Sequence, residues 1–202
     1  PIQIVAVTGS NGKSTVVSLL EYLAKALGVN AKLGGNIGIP VLNYFEEKES
    51  AELLILELSS FQLETMQSMN ACAATILNVS DDHLDRHKTL SNYQSIKQKI
   101  YQQCSVAIVN RDDDLTLITV AKSSANKIVS FGSDKPSIGH FGLAIIANKT
   151  FLMFGNDALI AIDKLPLAGL HNALNYLATL ALGHSLGWSL KAMSNKLAGF
   201  KG

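Results

Sequence analysis

Residues 5–20 read VAVTGSNGKSTVVSLL, and the interpretation of this stretch decides the fold. The β-branched run at residues 2–7 has the pattern of a buried strand. After the glycines, Val16, Leu19, Leu20, Leu23 and Leu27 recur at helical spacing. Strand, glycine turn and helix are the context of a phosphate-binding loop, G-x-x-x-x-G-K-[ST]. Here only Ser10 and Asn11 separate Gly9 from Gly12-Lys13-Ser14, two residues fewer than that pattern. Gly9 and Gly12 let consecutive N–H groups turn toward one point. The start of the helix adds unpaired amides and a positive dipole end. Lys13 supplies a point charge for terminal phosphates, and a hydroxyl at Ser14 or Thr15 suits Mg²⁺. The alternative is an ordinary strand–helix turn rich in small residues.

Composition narrows the class. Of 202 residues, 48% are apolar and 16% charged, a balance that favours a buried α/β core over disorder. A chain of this length buries roughly 70–75% of its unfolded surface without staples. A net charge of +1 gives no electrostatic case for a nucleic-acid partner. Cys72 and Cys104 are too few for a disulfide framework and lack metal-type spacing. No apolar run has the length of a membrane span and no signal peptide opens the sequence, so a cytoplasmic protein without membrane contact is expected. Pro1 in place of an initiator methionine, and a bare turn after the last helical stretch, lead us to expect a piece of a larger protein.

The rest of the chain alternates. VNAKLGGNIGIP reads as a short strand ending in a glycine loop, and AELLILEL as a strand buried on both faces. AATILNV, SVAIVN and NKIVSFG are further strands; LSNYQSIKQKIYQQC and DDLTLITVAKSS read as helices. The expected fold is therefore α/β, a mostly parallel doubly wound sheet with a phosphate loop, in one domain over residues 1–202. Near residues 139–165 the pattern changes to three short strands joined by Asn/Gly/Asp turns, an antiparallel meander. HNALNYLATLALGHSLG and SLKAMSNKLAGF close the chain as helices.

In an open α/β sheet, ligands gather at the carboxyl ends of the strands. Glu57 ends the strand AELLILEL, where it can serve Mg²⁺ or be a solvated strand end. SDDHLDRH follows the next strand; His83 can bind a metal or phosphate or be merely solvated, and Asp81, Asp82 and Asp85 are weaker candidates. Tyr93, Lys97, Ile100 and Cys104 form one helical stripe, whereas Lys99 points away. Lys97 either snorkels past its apolar neighbours or is directed into the site.

Six stretches in order, TGSNGKST, GGNIG, ELSSFQLE, NVSDDHLDRH, YQSIKQKIY and LHNALN, resemble the central domain of a Mur ligase. Together they span essentially the whole chain, and ELSSFQLE is most similar to the D-glutamate-adding branch. The short G-x-x-G-K-[ST] loop is that family's form. The resemblance implies that Gly9 and residues 10–15 (Ser10, Asn11, Gly12, Lys13, Ser14, Thr15) hold the ATP phosphates, with Lys13 on the γ-phosphate. It implies a first Mg²⁺ on Ser14 and Glu57, and a second on His83 and a carbamylated Lys97. Asn36, Ser59, Gln62 and His83 would face the UDP-linked substrate, and Asn172 the adenine. The implied reaction joins D-glutamate to UDP-N-acetylmuramoyl-L-alanine through an acyl phosphate, for peptidoglycan synthesis, in a monomeric enzyme.

The family also carries a UDP-binding domain before this segment and an amino-acid-binding domain after it, so the chain alone is expected not to catalyse ligation. A folylpolyglutamate synthase-like ligase shares the short loop, although ELSSFQLE argues against it. A noncatalytic ATP-binding module is the other reading. A GTPase switch lacks support, because no Asn-Lys pair here is followed by the aspartate of N-K-x-D.

Overall fold

The computed structural model describes residues 2–37, 51–80, 89–102, 104–117 and 125–201. Strand β1 (Gln3–Thr8) leads through the glycine loop into α1 (Lys13–Ala26) and β2 (Ala31–Gly35). Then come β3 (Leu53–Glu57), α2 (Ser60–Thr65), β4 (Ala71–Ile76), α3 (Leu90–Gln98), β5 (Cys104–Asn110) and β6 (Lys127–Phe131). These six strands form one parallel sheet in the order β2-β3-β1-β4-β5-β6. The chain leaves β1 toward one edge and leaves β3 toward the other, so the switch between β1 and β4 opens a crevice at the carboxyl rim.

Side-chain alternation divides the interior into two layers. Val5, Val7, Leu53 and Ile55 point to one face, packed against Val16, Leu19, Leu20 and Leu23 of α1 and against the two C-terminal helices. Ala6, Leu54, Leu56, Ala74 and Ile76 point to the other, against Leu63 of α2 and Tyr93 and Ile96 of α3. Continuous apolar strands such as LLILE follow from this burial on both faces. Each fully buried leucine contributes roughly 1.5–3 kcal/mol relative to exposure.

The meander is present as β7 (Phe141–Ile146), β8 (Lys149–Phe154) and β9 (Asp157–Ala161), antiparallel throughout. Its first turn uses Ala147 and Asn148, both at positive φ (48° and 61°), the geometry that matches strand twist in a two-residue hairpin. Phe141, Leu143 and Leu152 tie it into the first core layer. Helices α4 (Leu170–Ser185) and α5 (Leu190–Leu197) follow. Among the described residues, no helix is long and apolar enough to cross a membrane.

Three expectations change. The helix read over residues 113–124 is, in the described part, only a 3₁₀ turn at Asp114–Thr116, and Leu117 is already extended. The cause is local: Asp113 Oδ1 accepts from Leu115 N–H, and the Thr116 hydroxyl lies 2.8 Å from Asn110 O and 2.9 Å from Asp113 O. Residues 118–124 lie outside the described residues. Cys104 is not on the stripe of α3, because the helix tightens into a 3₁₀ turn at Lys99–Tyr101 and Cys104 opens β5. Helix α2, read only as part of a motif, is set by Ser59 and Gln62 in a capping box.

Tyr101 joins two central strands. Its buried hydroxyl donates to Ile108 O at 2.8 Å and accepts from Ile76 N–H at 3.0 Å. Burial pushes the phenol pKa up, so it stays protonated and able to donate. Tyr101→Phe leaves both backbone groups without that partner and is expected to cost about 1–3 kcal/mol. Urea unfolding should show a lower midpoint at unchanged slope; an unchanged midpoint would mean the two groups find other partners.

Candidate functional site

The loop after β1 is shaped by two close approaches. Gly12 caps α1 at φ 84°, and a Cβ there would lie 2.6 Å from Asn175 Oδ1 of α4. Only glycine satisfies both conditions. The first turn of α1 contains no acidic residue, and helix geometry leaves the N–H groups of residues 12–15 without intrahelical acceptors. This end of α1 therefore offers unpaired N–H donors and a positive dipole end of the kind that suits an anion. The Lys13 ammonium lies over the loop, donating to Gly9 O at 2.9 Å and Ser10 O at 3.1 Å.

Register brings a carboxylate beside it. Val7 of β1 pairs with Glu57, the last residue of β3. Glu57 is 2% exposed. Its Oε2 accepts from the Ser14 hydroxyl at 2.9 Å and its Oε1 from Asn36 Nδ2 at 3.1 Å. Asn36 N–H also donates to Glu57 O at 2.8 Å, and Gly35 allows this approach because a Cβ would collide with that carbonyl. Two hard oxygens 2.9 Å apart match adjacent corners of an octahedron with bonds of about 2.0–2.1 Å. Ser14 and Glu57 thus fit a Mg²⁺ ion.

Lys97 points inward. It is 1% exposed, donates to Gly9 O at 3.0 Å and reaches Thr8 Oγ1 at 3.4 Å. Its ammonium also sits 4.5 Å from the centroid of the Tyr93 ring. The snorkelling reading fails, because the charged end is directed at the base of the phosphate loop. Lys13 and Lys97 therefore share one carbonyl oxygen. Tyr93 OH is 3.4 Å from Ser10 Oγ, which in turn accepts from Ser80 N–H at 3.0 Å. His83, with Asp81, Asp82 and Asp85, lies outside the described residues. Among the described residues, no cluster of three His, Cys, Asp or Glu side chains could hold a metal.

Other expected site residues have structural partners. Ser59 and Gln62 bond each other across the start of α2: Gln62 N–H donates to Ser59 Oγ, and Ser59 N–H to Gln62 Oε1 at 2.9 Å. Asn172 donates to Ala168 O at 2.8 Å and accepts from Asn175 Nδ2 at 3.4 Å. Beside the phosphate loop, a cleft of about 150 Å³ opens between α4 and the ends of β4, β5 and β6. Phe131 and Leu174 give it apolar walls; Asn78, Asn110, His171 and Asn175 give it polar edges. Asn78, Asn110, His171 and Asn175 are polar residues of this cleft that sequence reasoning missed. The signal for the last two was helix position, since His171 and Asn175 lie four apart and share one face of α4 with Asn172 adjacent. A larger groove of about 680 Å³ lies on the meander, lined mainly by aliphatic side chains such as Leu143, Ile145 and Met153, away from these groups.

A parallel sheet, a short phosphate loop on its central strand and a carboxylate from the neighbouring strand define a nucleotide-binding α/β domain. The chain belongs to the Mur ligase family, with residues 7–183 matching the Mur ligase middle domain. It is 59% identical over 210 residues to a UDP-N-acetylmuramoylalanine–D-glutamate ligase of Colwellia psychrerythraea, covering 100% of this chain and 44% of the relative. A ligase of the same name from Psychrobacter cryohalolentis is 45% identical over 202 residues, with 100% and 42% covered. The chain thus spans less than half the length of these relatives. Among solved structures, a UDP-N-acetylmuramoyl-L-alanyl-D-glutamate–2,6-diaminopimelate ligase superposes with a TM-score of 0.84 at 26% identity, covering 100% of this chain and 47% of that one. The UDP-N-acetylmuramate-alanine ligase of Thermotoga maritima shares the fold at a TM-score of 0.70 and 23% identity, covering 100% and 45%.

Gly12 and Gly28 both hold positive φ, but nothing lies within 4 Å of a Cβ at Gly28. Alanine at either position is expected to cost about 1–2 kcal/mol for the left-handed backbone. Gly12→Ala should in addition displace Asn175 and weaken Mg-ATP binding at least about tenfold, whereas Gly28→Ala should leave binding unchanged. Thermal melts with equilibrium titration of both variants in the intact enzyme check this; equal ATP affinities would refute it.

Proposed function

We propose that this chain is the ATP-binding core of a ligase that joins D-glutamate to UDP-N-acetylmuramoyl-L-alanine, forming ADP and phosphate, in peptidoglycan precursor synthesis. The observation that carries the reading is the Ser14–Glu57 oxygen pair beside Lys13 and the amide terminus of α1. The names of the relatives supply the two substrates. In the proposed reaction, the alanyl carboxylate attacks the γ-phosphorus of ATP, the bond to ADP breaks, and an acyl phosphate forms. The amine of D-glutamate then adds to the acyl carbon, phosphate leaves, and the amine proton is released. Ser14 and Glu57 would hold a metal ion, which would supply neutralisation of phosphate charge. The N–H groups of residues 12–15 orient the phosphates, and Lys13 follows the charge that moves onto them. Asn36 fixes the Glu57 carboxylate so that Oε2 faces Ser14. The cleft beside Asn175 and Phe131 receives the base, combining an apolar wall with amide hydrogen-bonding groups. We place the enzyme in the cytoplasm as a monomer.

Lys97 and His83 are proposed to serve a second ion, Lys97 as its carbamate. Carbamylation replaces an ammonium by an anion with oxygen ligands, which removes one of two cations converging on Gly9 O.

Lys13→Ala in the full-length enzyme should keep the fold and lower ligation by about 10²–10³. Phosphate release assayed with both substrates checks it, and retention of more than about a tenth of wild-type turnover would remove Lys13 from this role. Lys97→Ala should lose most activity and regain part of it with acetate, while wild-type enzyme in ¹³C-bicarbonate should show a carbamate resonance. Absence of both the resonance and the rescue would return Lys97 to a plain structural cation.

A further inference from the structure

We infer that Asn78 is the positioning residue that sets which backbone amides of the short loop meet the phosphates; this rests on the ATP-ligase reading above. Asn78 makes a reciprocal pair with one loop residue. Asn11 N–H donates to its Oδ1 at 2.8 Å, and its Nδ2 donates to Asn11 O at 3.0 Å. Its own backbone carbonyl accepts from Ser10 N–H at 3.0 Å. The N–H groups of Ser10 and Asn11 are thereby directed at Asn78, and past Asn11 the donors left to an anion are those of residues 12–15. Val16 N–H has already turned back to Gly12 O at 3.0 Å, which closes the set at its other end.

Only a primary amide can do this. It carries a donor and an acceptor at the spacing of a strand neighbour, so one side chain satisfies both polar groups of Asn11. Asn78 is itself held on both sides. Leu77 N–H donates to Thr8 O at 2.9 Å, Leu77 O accepts from Asn110 Nδ2 at 2.9 Å, and Val79 N–H donates to Asp113 Oδ2 at 2.7 Å. The clamp therefore holds the loop against the rim of β4 and β5. It sits at a solvent-facing edge: Asn11 is exposed and Asn78 only half-buried. Water can replace both bonds without large loss of stability. What the clamp supplies is a fixed loop conformation before ATP arrives, which lowers the ordering cost of binding.

The test uses the full-length enzyme, with KM and kcat measured for ATP, UDP-N-acetylmuramoyl-L-alanine and D-glutamate. Asn78→Ala should raise KM for ATP about tenfold or more, with the other two KM values within about twofold and the melting temperature little changed. Asn78→Asp keeps the acceptor but turns a carboxylate oxygen toward Asn11 O and adds negative charge near the polyphosphate. It should be worse than alanine, and added salt should relieve part of the difference. Equal damage by Asp and Ala, spread over all three substrates, would mark a merely structural residue and overturn the inference. So would an unchanged KM for ATP. Should a variant fail to fold, hydrogen exchange of ATP-free wild-type enzyme decides: a protected amide at Asn11 supports the clamp, and an unprotected one overturns it. Wild-type enzyme that forms no product from D-glutamate would instead defeat the functional reading, independently of Asn78.

Discussion

Thr8 is wholly buried, and three elements meet on it. Its hydroxyl donates to Leu58 O at 2.7 Å, just past β3, and its carbonyl accepts from Leu77 N–H at 2.9 Å, just past β4. Lys97 of α3 approaches the same hydroxyl. Because β1 is flanked by β3 and β4 in parallel register, everything that follows these three strands emerges at one rim. Glu57, the glycine loop and the Asn78 segment come together for that reason. The last residue of β1 is where their positions are fixed relative to one another, by bonds between groups far apart in sequence.

Much of this was legible in the sequence, and the reasons are physical. Strand order aside, the alternation of elements was readable because strands such as LLILE are apolar on both faces and α1 shows a helical stripe. The phosphate loop was readable because glycine, lysine and hydroxyl positions are fixed by anion chemistry at one place in the chain. Glu57 and Lys97 stood out because of where a strand ends and where a helix stripe points, but the stripe left snorkelling and an inward course equally open for Lys97, and only its contacts decide between them. Asn78 was not legible. It is uncharged, and its partner lies 67 residues away, so the stretch NVSDDHLDRH drew attention to its charged residues and not to its first one. Ser59 and Gln62 carried a capping-box signal that was read only as a recognition motif. Periodicity also placed Cys104 on the helix, since counting by 3.6 does not register a turn that tightens to three residues.

The electrostatics of the loop are unusual for a buried region. Two ammonium groups approach Gly9 O, one from the loop's own helix and one from α3 on the opposite face of the sheet. A buried ammonium is expensive to desolvate unless it is hydrogen-bonded, and here a carbonyl, a threonine hydroxyl and the face of Tyr93 all serve Lys97. Glu57 lies on the adjacent strand but is occupied by Ser14 and Asn36. With Lys97 unmodified, the loop is thus bordered by positive charge on two sides and a tethered carboxylate on the third. That arrangement suits a ligand carrying both phosphate and a divalent cation.

The central placement of β1 has a consequence for how the chain is made. Gln3 pairs with Leu53, and Val5 with Ala73. The first of the sheet's strands to be made therefore has no neighbour in the sheet until about fifty more residues exist, and none on its other side until about seventy do. At a synthesis rate of roughly 5–20 residues per second, β1 waits about 4–14 s for its second partner. During that time at least one edge of β1 lacks its native neighbour, and an unpaired strand edge is a template for pairing with other chains. Residues that complete the phosphate loop, Leu77 and Asn78, arrive only at the end of the wait. The first strand of the sheet to be synthesised is among the last to acquire all its native neighbours.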